Sequence, residues 1–97
     1  MLEKQLEKKL KTEVEKLGGL CLKLVTPGFT GIPDRLVIMP GGNIWFVEMK
    51  APGAERSERQ KTVFGVLRLQ GCKAAVIDSY ELLESLLTML KENEVIG

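Results

Sequence analysis

The tightest constraint on this chain is the run Pro40-Gly41-Gly42, set between two strand-like stretches, Asp34–Met39 and Asn43–Lys50. A turn of that composition folds the second stretch back on the first as an antiparallel hairpin. Met39 then pairs with Asn43, and counting outward sets Asp34 opposite Glu48. Directly opposed residues have Cβ atoms about 4.5–5.5 Å apart. Glu48 and Lys50 are two apart, so their side chains leave the strand on one face. Two carboxylates that close repel unless a proton or a cation lies between them. A divalent metal with a lysine beside it resolves the conflict, and that is the apparatus of metal-dependent phosphodiester hydrolysis.

Composition narrows the chemistry further. The chain has no histidine. This excludes a Ser-His-Asp triad, a histidine general base and a histidine zinc site. Two scattered cysteines, Cys21 and Cys72, cannot build a structural zinc site either, and they read as small buried hydrophobes in a reducing compartment. Catalysis is left to carboxylates, lysine, hydroxyls and an oxygen-liking metal. Aromatics are 5% of residues, too few for single-strand binding on stacked rings. Net charge is only +1, so contact with nucleic acid must rest on a local basic patch. Charge begins at Glu3, and no apolar run has the length of a signal peptide or a membrane span.

A chain of 97 residues holds one modest core, and residues 1–97 read as one domain. Leu2, Leu6, Leu10, Val14 and Leu17 recur at helical spacing, and Gly18-Gly19 ends that helix. Leu20–Thr26 reads as a strand, followed by a loop to Pro33 and then the hairpin. Ser57-Glu58-Arg59-Gln60 has the pattern of a capping box and opens a helix running to about Gln70. Lys73–Ile77 is a fourth strand, and Ser79 caps a last helix. The order predicts a small α/β sandwich with a mixed sheet.

The residues also resemble a known family, the VRR-NUC nucleases of the PD-(D/E)XK superfamily. The matching stretches run in order along nearly the whole chain. They are Glu3 with Leu6 and Leu10, Leu17-Gly18-Gly19, Lys23–Gly28, Gly31-Ile32-Pro33-Asp34-Arg35, Phe46–Ala51, Ser57 with Gln60, and Gly71. The superfamily's restriction-endonuclease-like αβββαβ core has the element order read above, here with a C-terminal helix added. The resemblance implies a DNA endonuclease dependent on Mg²⁺ or Mn²⁺, leaving a 5′-phosphate and a 3′-hydroxyl. Stand-alone viral and bacterial members look like homodimers acting on branched DNA such as four-way junctions, in the bacterial cytoplasm. Larger eukaryotic members carry the domain at the end of a repair nuclease.

The resemblance implies metal ligation by Asp34 and Glu48 side chains, the Met49 carbonyl and Glu3. Lys50 would orient the attacking water, and Gln60 matches a helix-borne glutamine near the metal. Structural readings stand beside these. Gln60 also suits a purely capping role, Glu13 shares the apolar stripe with Glu3, and Glu7 is the substitute for Glu3. Arg35, Arg56 and Arg59 are candidate phosphate contacts near the metal end of the sheet, contacts that position DNA without reading sequence. Lys23 lines the groove or lies along the surface by its stem. Oxygen-only ligands favour Mg²⁺ or Mn²⁺ over Zn²⁺. An exonuclease or flap-processing enzyme, and a catalytically idle binding module, are the alternatives. In the last helix Leu82, Leu83, Leu86, Leu87, Met89 and Leu90 span roughly 160°, wider than one core contact needs. The surplus has to be buried under helix one or in a partner, and the partner is the reading favoured here.

Overall fold

The computed structural model describes residues 3–92. The elements follow the order α1 (Glu3–Lys16), β1 (Leu20–Lys23), β2 (Arg35–Met39), β3 (Asn43–Met49), α2 (Glu58–Leu69), β4 (Lys73–Ile77) and α3 (Tyr80–Glu92). Leu2 lies outside the described residues. The four strands form one sheet in the order β1-β2-β3-β4. The first three are antiparallel, and β4 joins β3 in parallel after the crossover through α2. The sheet is therefore mixed, with helices on both faces.

The hairpin register runs from Met39 against Asn43 to Arg35 against Val47. One step further outward sets Asp34 against Glu48. There the regular ladder gives way to side-chain bonding: the Met49 N–H donates to Asp34 Oδ1 at 2.9 Å. β1 stops at Lys23, three residues short of the expected end. Leu24 still donates its N–H to the Asp34 carbonyl at 2.9 Å. The chain then turns, with the Phe29 N–H donating to the Thr26 carbonyl and Pro27 unable to donate at all.

The core lies on one face of the sheet. Leu6, Leu10 and Val14 of α1 and Leu83, Leu86, Leu87 and Leu90 of α3 pack over Val37, Val47, Met49 and Ile77. This corrects the reading of α3. Its surplus apolar stripe is buried within the chain, under α1 and against the sheet, and only Leu82 and Met89 of that stripe are exposed. A helix that must fill the space between α1 and the sheet meets neighbours on two sides, which accounts for the wide stripe. The close seat of α1 on β2 depends on Gly19, where a Cβ would come within 2.6 Å of Met39 Sδ.

α2 covers the opposite face only along β4, where Val63 and Ala74 are buried. Glu48 is also buried on that face, at the end of β3, and toward β1 the face stays open. Leu20, Leu22 and Ile44 are 54%, 44% and 45% exposed on it.

Candidate active site

Strand alternation sorts the site residues by face. Asp34, Glu48 and Lys50 share the face carrying α2. Arg35, Lys23 and Met49 belong to the face carrying α1 and α3. Met49 is fully buried there, so only its backbone is left to serve the site.

Glu48 is the one buried charged residue among the described residues, 2% exposed at the end of β3. Burying a charge is costly unless it is paired. Its partner is Arg56, whose Nε donates to Glu48 Oε2 at 2.6 Å. The guanidinium lies over the Phe64 ring, 4.7 Å from its centroid. The pairing is incomplete on both sides: Glu48 Oε1 and Arg56 Nη2 are buried, and neither has a hydrogen-bond partner among the described residues.

Asp34 is half-buried and accepts the Met49 N–H. Burial pushes its carboxyl above the ordinary carboxylate value. The Met49 N–H opposes that rise, while the charges of Glu7 and Glu3 add to it. Both glutamates belong to α1. Glu7 is tied to Arg35, whose Nε donates to Glu7 Oε1 at 2.7 Å. Glu3 has no such partner among the described residues. Lys50 is half-buried; its N–H donates to the Ile77 carbonyl at 2.9 Å, and nothing described engages its ammonium group.

The remaining candidates are placed as follows. Gln60 completes the capping box: Ser57 Oγ accepts its N–H at 3.1 Å, and its Oε1 accepts the Ser57 N–H at 2.9 Å. Arg59 donates to the Thr30 carbonyl at 3.1 Å and lies over Phe29, so it braces the loop before Asp34. Lys23 is exposed and opposite Arg35 in the β1–β2 ladder. Arg35 is engaged with Glu7 on the face away from Glu48, so a phosphate must compete for it. The pairing of Arg56 with Glu48 is the feature that sequence reasoning missed. The signal for it was an arginine just ahead of the capping serine, at the start of a helix that packs back along β4.

The residues fit a hard divalent cation. Glu48 Oε1 is a buried oxygen without a donor, and every available ligand is oxygen. Among the described residues no three histidine, cysteine, aspartate or glutamate side chains cluster as a protein-only cage. Mg²⁺ does not require one, since it typically takes one or two carboxylates and completes its shell with water and substrate phosphate.

The VRR-NUC domain family model matches residues 2–81, from α1 to the start of α3. The chain belongs to the VRR-NUC family. A protein of Acyrthosiphon pisum secondary endosymbiont phage 1, named "Putative nuclease p44", is 45% identical over 80 residues. That alignment covers 82% of this chain and 86% of the phage protein. A solved structure described as a VRR_NUC domain superposes with a TM-score of 0.82 at 36% identity, covering 89% of this chain and 94% of the other. The chain therefore has the VRR-NUC fold and is a nuclease domain of that type, and the family is generally dependent on divalent metal. Among the described residues no helix is long and apolar enough to cross a membrane.

Proposed function

We propose that this VRR-NUC chain is a Mg²⁺- or Mn²⁺-dependent DNA endonuclease, structure-selective for branched DNA such as four-way junctions, that acts as a homodimer in the bacterial cytoplasm. The observation that carries the reading is Glu48: a buried carboxylate in register with Asp34 and two residues from Lys50, with neither its Oε1 nor the Lys50 ammonium partnered among the described residues.

Asp34 and Glu48 would hold the cation through side-chain oxygens, with the Met49 carbonyl as a further ligand; Glu3, which does not cluster with the two carboxylates among the described residues, would join them only by moving in from the start of α1. When bound, such a cation polarises a phosphodiester and raises the acidity of neighbouring water. Lys50 places the attacking water in line with the scissile bond and offsets charge on the pentavalent phosphate. Arg56 and Arg59, beside the N-terminus of α2, contact phosphates; Lys23 and Arg35, at the same end of the sheet but on its other face, are further candidates, Arg35 only where a phosphate displaces Glu7. Gln60, with its oxygen in the cap, has only its amide nitrogen to offer the substrate. Contacts of this kind read backbone and shape.

The homodimer rests on the open face of the sheet. Leu20, Leu22 and Ile44 expose apolar surface where α2 does not reach. Two strands of a branched junction need two centres, and a two-fold pair is the commonest assembly. The test is incubation with matched linear duplex, flap and four-way-junction DNAs in Mg²⁺ or Mn²⁺, with the cuts mapped. Paired, symmetric cuts near the junction centre are expected. Cutting confined to flaps or free ends points to the end-processing alternative, and DNA binding without cleavage to an idle module.

A further inference from the structure

Arg56 is more than a counter-ion. It is held twice, by Glu48 Oε2 at 2.6 Å and by the Phe64 ring, and it stands immediately before the cap of α2. Among the described residues its Nη2 is nevertheless a buried donor without an acceptor, and Glu48 Oε1, on the carboxylate it pairs with, is a buried acceptor without a donor. Buried polar atoms are rarely left so, and each calls for a partner of opposite character. Glu48 Oε1 calls for a cation and Arg56 Nη2 for an anionic oxygen. A divalent cation bound together with a phosphodiester supplies both at once. A cation alone satisfies only the first, and it arrives next to a guanidinium that repels it. In the free protein Glu48 already has the Arg56 guanidinium as its partner. Such a site attracts a free divalent ion weakly until a phosphate adds its negative charge.

We propose that Arg56 couples cation binding to DNA binding: it neutralises Glu48 in the free protein and, when DNA arrives, turns its unpaired guanidinium edge to a phosphate oxygen. The inference rests on the nuclease reading above, and it makes Arg56 a positioning residue as well as a phosphate ligand. A guanidinium suits the task because its planar fork can serve a carboxylate and a phosphate together, which an ammonium cannot do with the same geometry.

The test is Ca²⁺ titration calorimetry on the free protein and on its complex with a four-way-junction DNA, with no activity readout needed. The forms compared are wild type, Arg56→Gln, Arg56→Lys and Asp34→Asn. Arg56→Gln keeps a donor for Glu48 and loses the charge. It is expected to bind Ca²⁺ about tenfold or more tightly than wild type without DNA, because a like charge a few Å from the cation is gone. DNA should tighten Ca²⁺ binding strongly in wild type and much less in Arg56→Gln. Arg56→Lys, the variant that retains charge, should match wild type without DNA and lose part of the gain that DNA brings. It carries the test alone if Arg56→Gln does not fold. Free Arg56→Gln binding Ca²⁺ no more tightly than wild type, or Arg56→Lys keeping the full gain, overturns the coupling. Asp34→Asn separates the two levels of the account. Ca²⁺ binding abolished by Asp34→Asn but not tightened by Arg56→Gln overturns the coupling and leaves the nuclease site standing. Ca²⁺ binding indifferent to Asp34→Asn, or absent from every form, overturns both.

Discussion

Asp34 sits under opposing influences, and the balance has a measurable consequence. Burial raises its carboxyl above the ordinary value, the charges of Glu7 and Glu3 on α1 push the same way, and the Met49 N–H only partly offsets them. A carboxyl raised on folding contributes stability that is present below its unfolded pKa of about 3.9 and is lost as pH rises through the higher folded value. At neutral pH, without metal, ionised Asp34 therefore costs stability. Asp34→Asn keeps an oxygen for the Met49 N–H and removes the charge. In EDTA it should melt at a higher temperature than wild type at pH 7, and the gain should vanish as pH falls to about 4. Thermal melts across pH check this, and a lower melting temperature at pH 7 contradicts it. Asp34, Glu48 and Lys50 were legible as a set because hairpin register and strand alternation are set by the turn and by spacing. The partner of Glu48 was not, because Arg56 reaches it through a loop and no periodicity links the two. Glu7 was similarly legible only as a substitute for Glu3, since its bond to Arg35 depends on how α1 crosses β2.

At the scale of elements, the loop before Asp34 is fixed by α2. Gly31 has φ +86°, and a Cβ there would meet the Arg59 side chain at 2.7 Å and its carbonyl oxygen at 2.9 Å. A side chain at this position is strained in backbone and blocked in space. Gly31→Ala is expected to cost about 1–3 kcal/mol and to weaken cleavage by displacing Asp34 from Glu48; denaturant unfolding with a cleavage assay measures both. An unchanged unfolding midpoint would show that the loop yields freely. Element order came through from sequence because each helix carries its own stop and start signals: Gly18-Gly19 after α1, and Ser57 with Gln60 at α2. Two features did not. β1 ends early because the turn at Thr26 takes over its bonding, and pairing length is decided by neighbouring chain. The wide stripe of α3 announced heavy burial but not its partner, because a helical wheel gives the width of a buried face and not what covers it.

The whole molecule keeps one sheet face sealed by α1 and α3 and leaves the other partly bare. If copies associate through the bare face, Leu22→Glu with Ile44→Glu should shift sedimentation from dimer to monomer at micromolar concentration without lowering the melting temperature of the fold. A wild-type chain that sediments as a monomer while cutting junctions would remove the dimer from the account. The central claim concerns the site itself, where Asp34, Glu48 and Lys50 act together with a divalent cation. It is tested most directly by the cleavage rate of Lys50→Ala beside wild type on junction DNA, in Mn²⁺ and in excess EDTA, with a melt to show that both fold. Lys50 fills no core cavity and has no partner among the described residues, so its truncation should leave stability within about 0.5 kcal/mol. The account predicts cleavage by wild type in Mn²⁺ only, with a loss of about 10²-fold or more in Lys50→Ala. Wild-type rates from folded Lys50→Ala, or undiminished cleavage in EDTA, would contradict it.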